Sequence, residues 1–433
     1  MTIPLDSVSR RTFIGTTAAA AAALAFPSGV FAQGTDRLRI GVIGCGGRGT
    51  GAARDALRSS AGVELVALGD LMPDRLEQCR GELAKVAAEN ADFASKYKVT
   101  DEHCFTGFDA YEKVLASGID YVILATPPGF RPAHLSAAVA AGKHIFTEKP
   151  VAVDPAGIRS VLATAELARE KGLGVGVGTQ RRHQVQYVEA IKRIQDGAIG
   201  EVLGGQVFWN QGGLWSRVQQ EGWSDGEWQI RNWLYFTWLS GDHIVEQHVH
   251  NIDVANWVLG SHPIAAIGAG GRQQRVGARY GHIFDHFAVD FEYPNGVHVM
   301  SMCRQIEGTR GRVAEHFIGT KGRANPASEI MGPAAWKFES AERPVSPYVQ
   351  EHTDLIASIR AGRPYNELKQ VAESTLSAIM GREAAYTGQE LTWDEVLNAE
   401  QSLTPPEIGF VPMDVPRVAM PGRTKLARLW NEA

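Results

Sequence analysis

The stretch Arg37-Leu-Arg-Ile-Gly-Val-Ile43 runs directly into Gly44-Cys-Gly46-Gly-Arg-Gly49, after which Thr50–Leu57 reads as a helix. A β-branched run, a GxGxxG turn and a helix start together form a phosphate-binding unit, because each glycine has its own task. Gly44 allows the tight turn, Gly46 lets backbone approach a pyrophosphate, and Gly49 lets the helix pack against the strand. Gly47 and Arg48 fall in the same turn, and the helix N-terminus attracts the anion. A second strand, Val63–Leu68, leads to Asp70, about 20 residues past the last glycine, where a ribose-binding acid belongs. Asp70 would accept from the 2′- and 3′-hydroxyls of NAD and repel the 2′-phosphate of NADP, so NAD is the expected cofactor. Arg75 softens that preference.

Outward from this unit the strand–helix rhythm continues. Tyr121–Ala125 is a buried-strand run ending in Thr126-Pro127-Pro128, followed by a helix around His134–Ala141. Lys143–Phe146 leads into Glu148-Lys149-Pro150, then a helix over Pro155–Lys171 and a strand over Leu173–Val177. Alternation of this kind gives a parallel sheet with right-handed crossovers, whose ligands sit at the carboxyl ends of the strands. Thr126, Pro127, Glu148, Lys149 and Gln180 fall at such ends, and His134 begins the helix beyond one of them.

The whole chain has 433 residues, 21% charged and 44% hydrophobic, which is ordinary globular composition. A net charge of −5 without a basic block argues against a nucleic-acid partner. Cys45, Cys79, Cys104 and Cys303 are scattered without a CxxC, which excludes a disulfide framework and a thiolate metal centre; a Cys79–Cys104 bridge stays open. Ser9-Arg10-Arg11-Thr12-Phe13-Ile14, an alanine-rich run to Phe26 and Val30-Phe31-Ala32 read as a cleavable twin-arginine export signal over 1–32. The expected location is therefore periplasmic or otherwise extracytoplasmic, with no membrane span in the mature chain.

Gly44–Gly49, Thr126-Pro127 and Glu148-Lys149-Pro150, in this order and spacing, resemble the glucose–fructose oxidoreductase / inositol dehydrogenase (Gfo/Idh/MocA) family. The resemblance implies an α/β protein: a Rossmann domain, taken here as 36–178, and an α/β domain with a large open, mainly antiparallel sheet over 179–433. It further implies a retained nicotinamide cofactor, a sugar or cyclitol substrate, a homo-oligomer formed through the open sheet, and Lys149 beside the nicotinamide. The family's acid-x-x-x-His-x-x-Asp helix is matched by Glu246, His250 and Asp253, although the usual first acid is Asp. As one helix, Asp242, Glu246, His250 and Asp253 share an arc of about 80°. Ile244, Val245, Val249, Ile252 and Leu259 form the opposite, buried stripe.

Removing a hydride from an alcohol needs a base for the hydroxyl proton. His250, oriented by Asp253 or Glu246, is the expected base, and Lys149 the acid/base partner or oxygen holder; His248 is expected in the core. Asp242, His243, Glu246 and His248 crowd together, but His243 and His248 lie roughly 140° apart on a helix, so no metal is expected. Seven of the ten tryptophans lie between Trp209 and Trp257, several in a Gly/Gln/Ser-rich stretch, which suits a saccharide cleft, core packing or a subunit interface. Gln180-Arg181-Arg182-His183 opens the second domain, and Phe287–Tyr293 and Val297–Cys303 flank Pro-Asn-Gly as a hairpin. His352–Ala361 and Ala372–Tyr386 read as helices. An exported NAD enzyme must regenerate its cofactor on site. Two solutions follow: an oxidoreductase with paired substrates, which is favoured, or an NAD-dependent glycoside hydrolase working through a transient 3-keto intermediate.

Overall fold

The glycine turn opens a sheet of six strands. In the computed structural model, which describes residues 37–340 and 342–428, these are β1 (Leu38–Ile43), β2 (Val63–Asp70), β3 (Cys104–Thr106), β4 (Tyr121–Leu124), β5 (His144–Thr147) and β6 (Val175–Val177). The twin-arginine segment lies outside the described residues. The strands pair in parallel in the order 3-2-1-4-5-6, so the chain reverses direction across the sheet between β1 and β4. β4 is buried along its whole length, as a strand covered on both faces must be. The covering helices are α1 (Gly47–Ser59), α2 (Pro73–Glu89), α3 (Ala91–Lys96), α4 (Ala110–Ala116), α5 (Arg131–Ala140) and α6 (Pro155–Glu170).

The second sheet has nine strands: β7 (Val202–Gln211), β8 (Ala265–Gly271), β9 (His286–Tyr293), β10 (Val297–Gln305), β11 (Arg312–Gly319), β12 (Arg323–Asn325), β13 (Glu329–Met331), β14 (Trp336–Lys337) and β15 (Leu391–Thr392). Only β7 and β10 pair in parallel, so the sheet is mixed and mostly antiparallel, as expected. The β9–β10 hairpin forms with Tyr293 opposite Val297, and Asn295 and Gly296 take the positive φ angles (67° and 70°) that Asn-Gly turns favour. One face of this sheet is covered by α10 (His243–Glu246), α11 (Val249–Leu259) and α13 (Leu368–Thr387). α13 is buried almost all round, because it also packs on α6 of the first sheet. The remaining helices are α7 (Val185–Gln195), α8 (Asp225–Arg231), α9 (Thr237–Ser240), α12 (Pro347–Arg360) and α14 (Trp393–Leu397). Among the described residues no helix is long and apolar enough to cross a membrane.

The chain returns late to its first sheet. Leu355, Ile356 and Ile359 of α12 complete the core formed by β1, β2 and α1. His352 Nδ1 lies 2.8 Å from the Tyr121 hydroxyl of β4. Beyond α12, Val175 N donates to Tyr365 O, and Val177 N donates to the Glu367 carboxylate. His183 sits between these returning residues, 2.7 Å from Asp354 and 3.3 Å from Glu367. Burial lowers its pKa, but the two carboxylates outweigh burial and hold it at about 9. A folded pKa above the unfolded value of 6.5 stabilises below pH 6.5, and that stabilisation is lost as the pH rises through 9. His183→Gln is therefore expected to cost about 2–3 kcal/mol near pH 6 in urea denaturation, and progressively less between pH 6.5 and 9. A cost independent of pH would contradict a charged His183.

Candidate active site

Two adjoining cavities lie where the first sheet reverses direction, at the carboxyl ends of its strands. The larger, about 540 Å³, is lined on one side by Gly44, Gly46, Gly47, Arg48, Asp70, Thr126, Pro127 and His134, all expected from the sequence. Gly44 has φ +97°, and a Cβ there would sit 2.6 Å from the backbone of Ala125 and Thr126. A Cβ on Gly49 would come within 1.8 Å of Gly44 O, so Gly49 serves the close packing of α1 and not the cavity wall. Gly46 and Gly47 face open space. Gly46 provides no side-chain cap to α1, and the first turn carries no acid. The open backbone and the uncompensated helix start suit a pyrophosphate. Asp70 Oδ2 accepts from Cys45 N at 2.6 Å and Oδ1 from Met72 N at 2.8 Å, which fixes the carboxylate and leaves further lone pairs on each oxygen. Its pKa is raised by burial, against these two backbone donors and Arg75. The residues present thus fit a dinucleotide.

Arg131 was not recognisable from the sequence. Buried behind β4, it donates to Leu124 O and Thr126 O and so fixes the strand end that presents Thr126. His134 Nδ1 is 3.1 Å from Thr126 Oγ1, and burial and Arg131 hold its pKa at about 3, so the imidazole is neutral.

The second cavity, about 290 Å³, shares Arg48, Thr126 and Trp233 with the first. It gathers Glu148, Lys149, Gln180, Glu246 and His250, with Gln247 and Tyr348. Lys149 Nζ donates to the Glu246 carbonyl at 2.6 Å and to Glu246 Oε1 at 3.3 Å. Arg48 Nε donates to Glu148 Oε1 at 2.6 Å, so the turn arginine and the Glu-Lys-Pro acid meet at the junction of the two cavities. His250 is buried, parallel to the Trp209 ring at 5.8 Å, and its Nδ1 has no hydrogen-bond partner. Burial, then Lys149, Arg181 and His248, depress its pKa well below the ordinary value.

Three expectations for this region are corrected. Asp253 does not orient His250: it accepts from Arg182 Nε and Nη2, both at 2.9 Å, and from Ser374 Oγ at 2.7 Å. The motif is also not one amphipathic helix. It breaks at Gln247–His248 into α10 and α11, and α11 is buried on nearly all sides because the nine-stranded sheet and α13 pack on it from different directions. Asp242 turns away from the cavity. It has φ 74°, accepts from His243 N, Phe284 N and the Tyr386 hydroxyl, and burial raises its pKa to about 7. His243 Nδ1 binds Gln305, and His248 Nε2 meets Ser301 Oγ at 2.7 Å in the core. Among the described residues no three His, Cys, Asp or Glu side chains are grouped to hold a metal ion. The four cysteines are free, including Cys79 and Cys104.

The tryptophans divide between core and cavity walls. Trp228 and Trp238 are core, Trp209 backs His250, and Trp257 lies under the Arg182 guanidinium. Trp215 and Trp233 line the larger cavity.

A family model described as an oxidoreductase family with an NAD-binding Rossmann fold matches residues 38–179, and the GFO/IDH/MocA C-terminal domain matches 187–325. Scyllo-inositol 2-dehydrogenase (NAD(+)) of Bacillus subtilis is 27% identical over 234 residues, which are 54% of this chain and 57% of that protein. The chain thus spans little more than half the length of that relative. Inositol 2-dehydrogenase of Burkholderia cenocepacia is 27% identical over 341 residues, 75% of this chain and 87% of that one. The crystal structure of scyllo-inositol dehydrogenase from Lactobacillus casei with bound NAD(H) and scyllo-inositol superposes with a TM-score of 0.62 at 18% identity, covering 83% of this chain and 99% of that chain. This last likeness is one of fold.

Two substitutions check the assignments. Asp253→Ala leaves the buried Arg182 unpaired and is expected to cost about 3 kcal/mol in urea denaturation; a purely catalytic role would leave stability unchanged. Asp70→Ala removes a charged acceptor and should weaken NAD binding roughly tenfold or more in calorimetric titration. Unchanged affinity would place the ribose elsewhere.

Proposed function

We propose that this chain, which belongs to the Gfo/Idh/MocA family of oxidoreductases, oxidises a secondary hydroxyl of a sugar or cyclitol with Lys149 and His250 at the reacting oxygen. The observation that carries this reading is the meeting of Lys149, Glu246 and His250 in a cavity adjoining the NAD cleft. NAD, when bound, supplies the hydride acceptor. Lys149 spends two of its ammonium protons on Glu246 and keeps a third donor for a substrate oxygen. That donor polarises the hydroxyl. His250, neutral through burial, takes the hydroxyl proton on an imidazole nitrogen. The methylene that distinguishes Glu246 from the usual Asp is consistent with a carboxylate that must reach Lys149. Gln180 and Gln247 offer amide donors and acceptors, and Trp233 an aromatic face, which suits a polyhydroxylated ring. The inositol relatives support the same substrate class.

Two further parts of the proposal concern setting. The twin-arginine pattern at Arg10-Arg11 supports export, which cell fractionation checks. Ile267, Met300 and Ile318 stand exposed on the outer face of the nine-stranded sheet, which supports a homo-oligomer through that face, checked by sedimentation.

Lys149→Ala is expected to lower turnover at least a hundredfold with NAD still bound; retained activity would remove Lys149 from the mechanism. Adding sugars and aryl glycosides to the purified protein separates the two chemistries. A lasting NADH absorbance with one sugar, discharged by a second carbonyl compound, is expected. Aglycone release without lasting NADH would instead establish the redox-assisted hydrolase.

A further inference from the structure

The cleft between Gly44–Gly49 and Asp70 has a second wall that does not come from the Rossmann half. Trp215, Arg217, Ile230, Arg231 and Trp233, from the stretch after β7, line the same 540 Å³ cavity. We propose that this wall is part of the NAD site, and that Arg217 contacts the anionic adenosine diphosphate half of the cofactor and slows its release.

Three observations carry the proposal. First, the wall is already built. Arg217 N donates to Asn232 Oδ1 at 2.8 Å, Trp228 Nε1 donates to Arg217 O at 2.8 Å, and the Tyr235 hydroxyl donates to Trp215 O at 2.8 Å. Second, it is fastened to the Rossmann half beside the ribose acid. Arg231 Nη1 bridges both oxygens of Asp74 at 3.0 and 3.1 Å, and Arg231 Nε is held by Glu227 at 2.8 Å. Asp74 lies in the first turn of α2, directly after Asp70 and Met72. Third, Arg217 is left without a carboxylate. It makes no ion pair among the described residues, its Nε is buried without a hydrogen-bond partner, and its guanidinium rests on the Trp215 ring at 5.7 Å. Burial lowers its pKa, and so do the neighbouring charges of Arg75 and Arg231, while Asp74 works against them.

A tethered arginine with a free fork, beside two further arginines, suits a phosphate group. The start of α1 offers backbone amides from the opposite wall. An adenosine diphosphate group held from both sides must break the contacts of both walls to leave, so the geometry favours slow exchange. The proposal rests on the cleft being the NAD site.

The test measures equilibrium binding of ADP-ribose and NADH by calorimetry, and NADH release by stopped-flow displacement, in the full chain. Arg217→Ala is expected to raise the dissociation constants of both ligands about tenfold and to speed NADH release similarly, with unchanged melting temperature. Arg217→Lys should restore part of the affinity, and Trp215→Ala should weaken binding by a smaller factor. Wild-type affinity and release rate in Arg217→Ala would overturn the proposal, provided Asp70→Ala weakens binding in the same assay. If Asp70→Ala also left binding intact, the assignment of the cleft itself would fall, and the wall with it.

Discussion

The ammonium of Lys149 against the end of α10 is the contact on which the site depends. The helix stops at Glu246, and its terminal carbonyl needs a donor; Lys149, carried on the strand end of the other sheet, supplies one. The same residue then adds its carboxylate to the same nitrogen. A single residue thereby fixes where the strand ends of the first sheet stand against the helices that line the second. Beyond the break at Gln247–His248, His250 reaches the same cavity. Asp242 secures the other end of α10 by capping it with a fully buried carboxyl.

Charge in this protein is settled pair by pair. Asp253 with Arg182, Glu315 with Arg181, and Glu383 with Arg382 and Arg428 are buried ion pairs that hold elements in register. Such pairs add little net stability but are costly to break singly, so they specify packing. The buried histidines behave in the opposite way. His134, His243, His248 and His282 have pKa values near 3, and burial is the largest cause in each. In the smaller cavity Lys149 and Arg48 each face a glutamate, and His250 is the neutral acceptor.

What was legible in the sequence was local. The glycine turn, Asp70 at its fixed interval, Thr126-Pro127 and Glu148-Lys149-Pro150 each mark a strand end, and parallel topology then brings all strand ends to one edge. The β9–β10 hairpin was legible for the same reason, because Asn295-Gly296 determines its own turn. The partners of side chains between distant elements were not. Nothing in Glu246–Asp253 reveals that Arg182 will claim Asp253. Helical periodicity alone assumes one covered face, whereas α11 is covered on nearly all of them. Arg131 acts through backbone carbonyls, which leave no mark in residue spacing. The tryptophan-rich stretch was visible as a composition anomaly, but composition did not separate core rings from those of the cleft.

The late return of α12 to the first sheet has a consequence for how the chain is made. The core that β1, β2 and α1 share with α2 and α3 lacks Leu355, Ile356 and Ile359 until α12 arrives, and Tyr121 lacks its histidine until residue 352 is in place. On the ribosome, therefore, the nucleotide-binding half lacks this part of its core as its own strands emerge. That part is made only after nearly the entire second sheet. The two halves are therefore not independent along the chain, and a protein truncated before α12 would be missing part of the core of its first half as well.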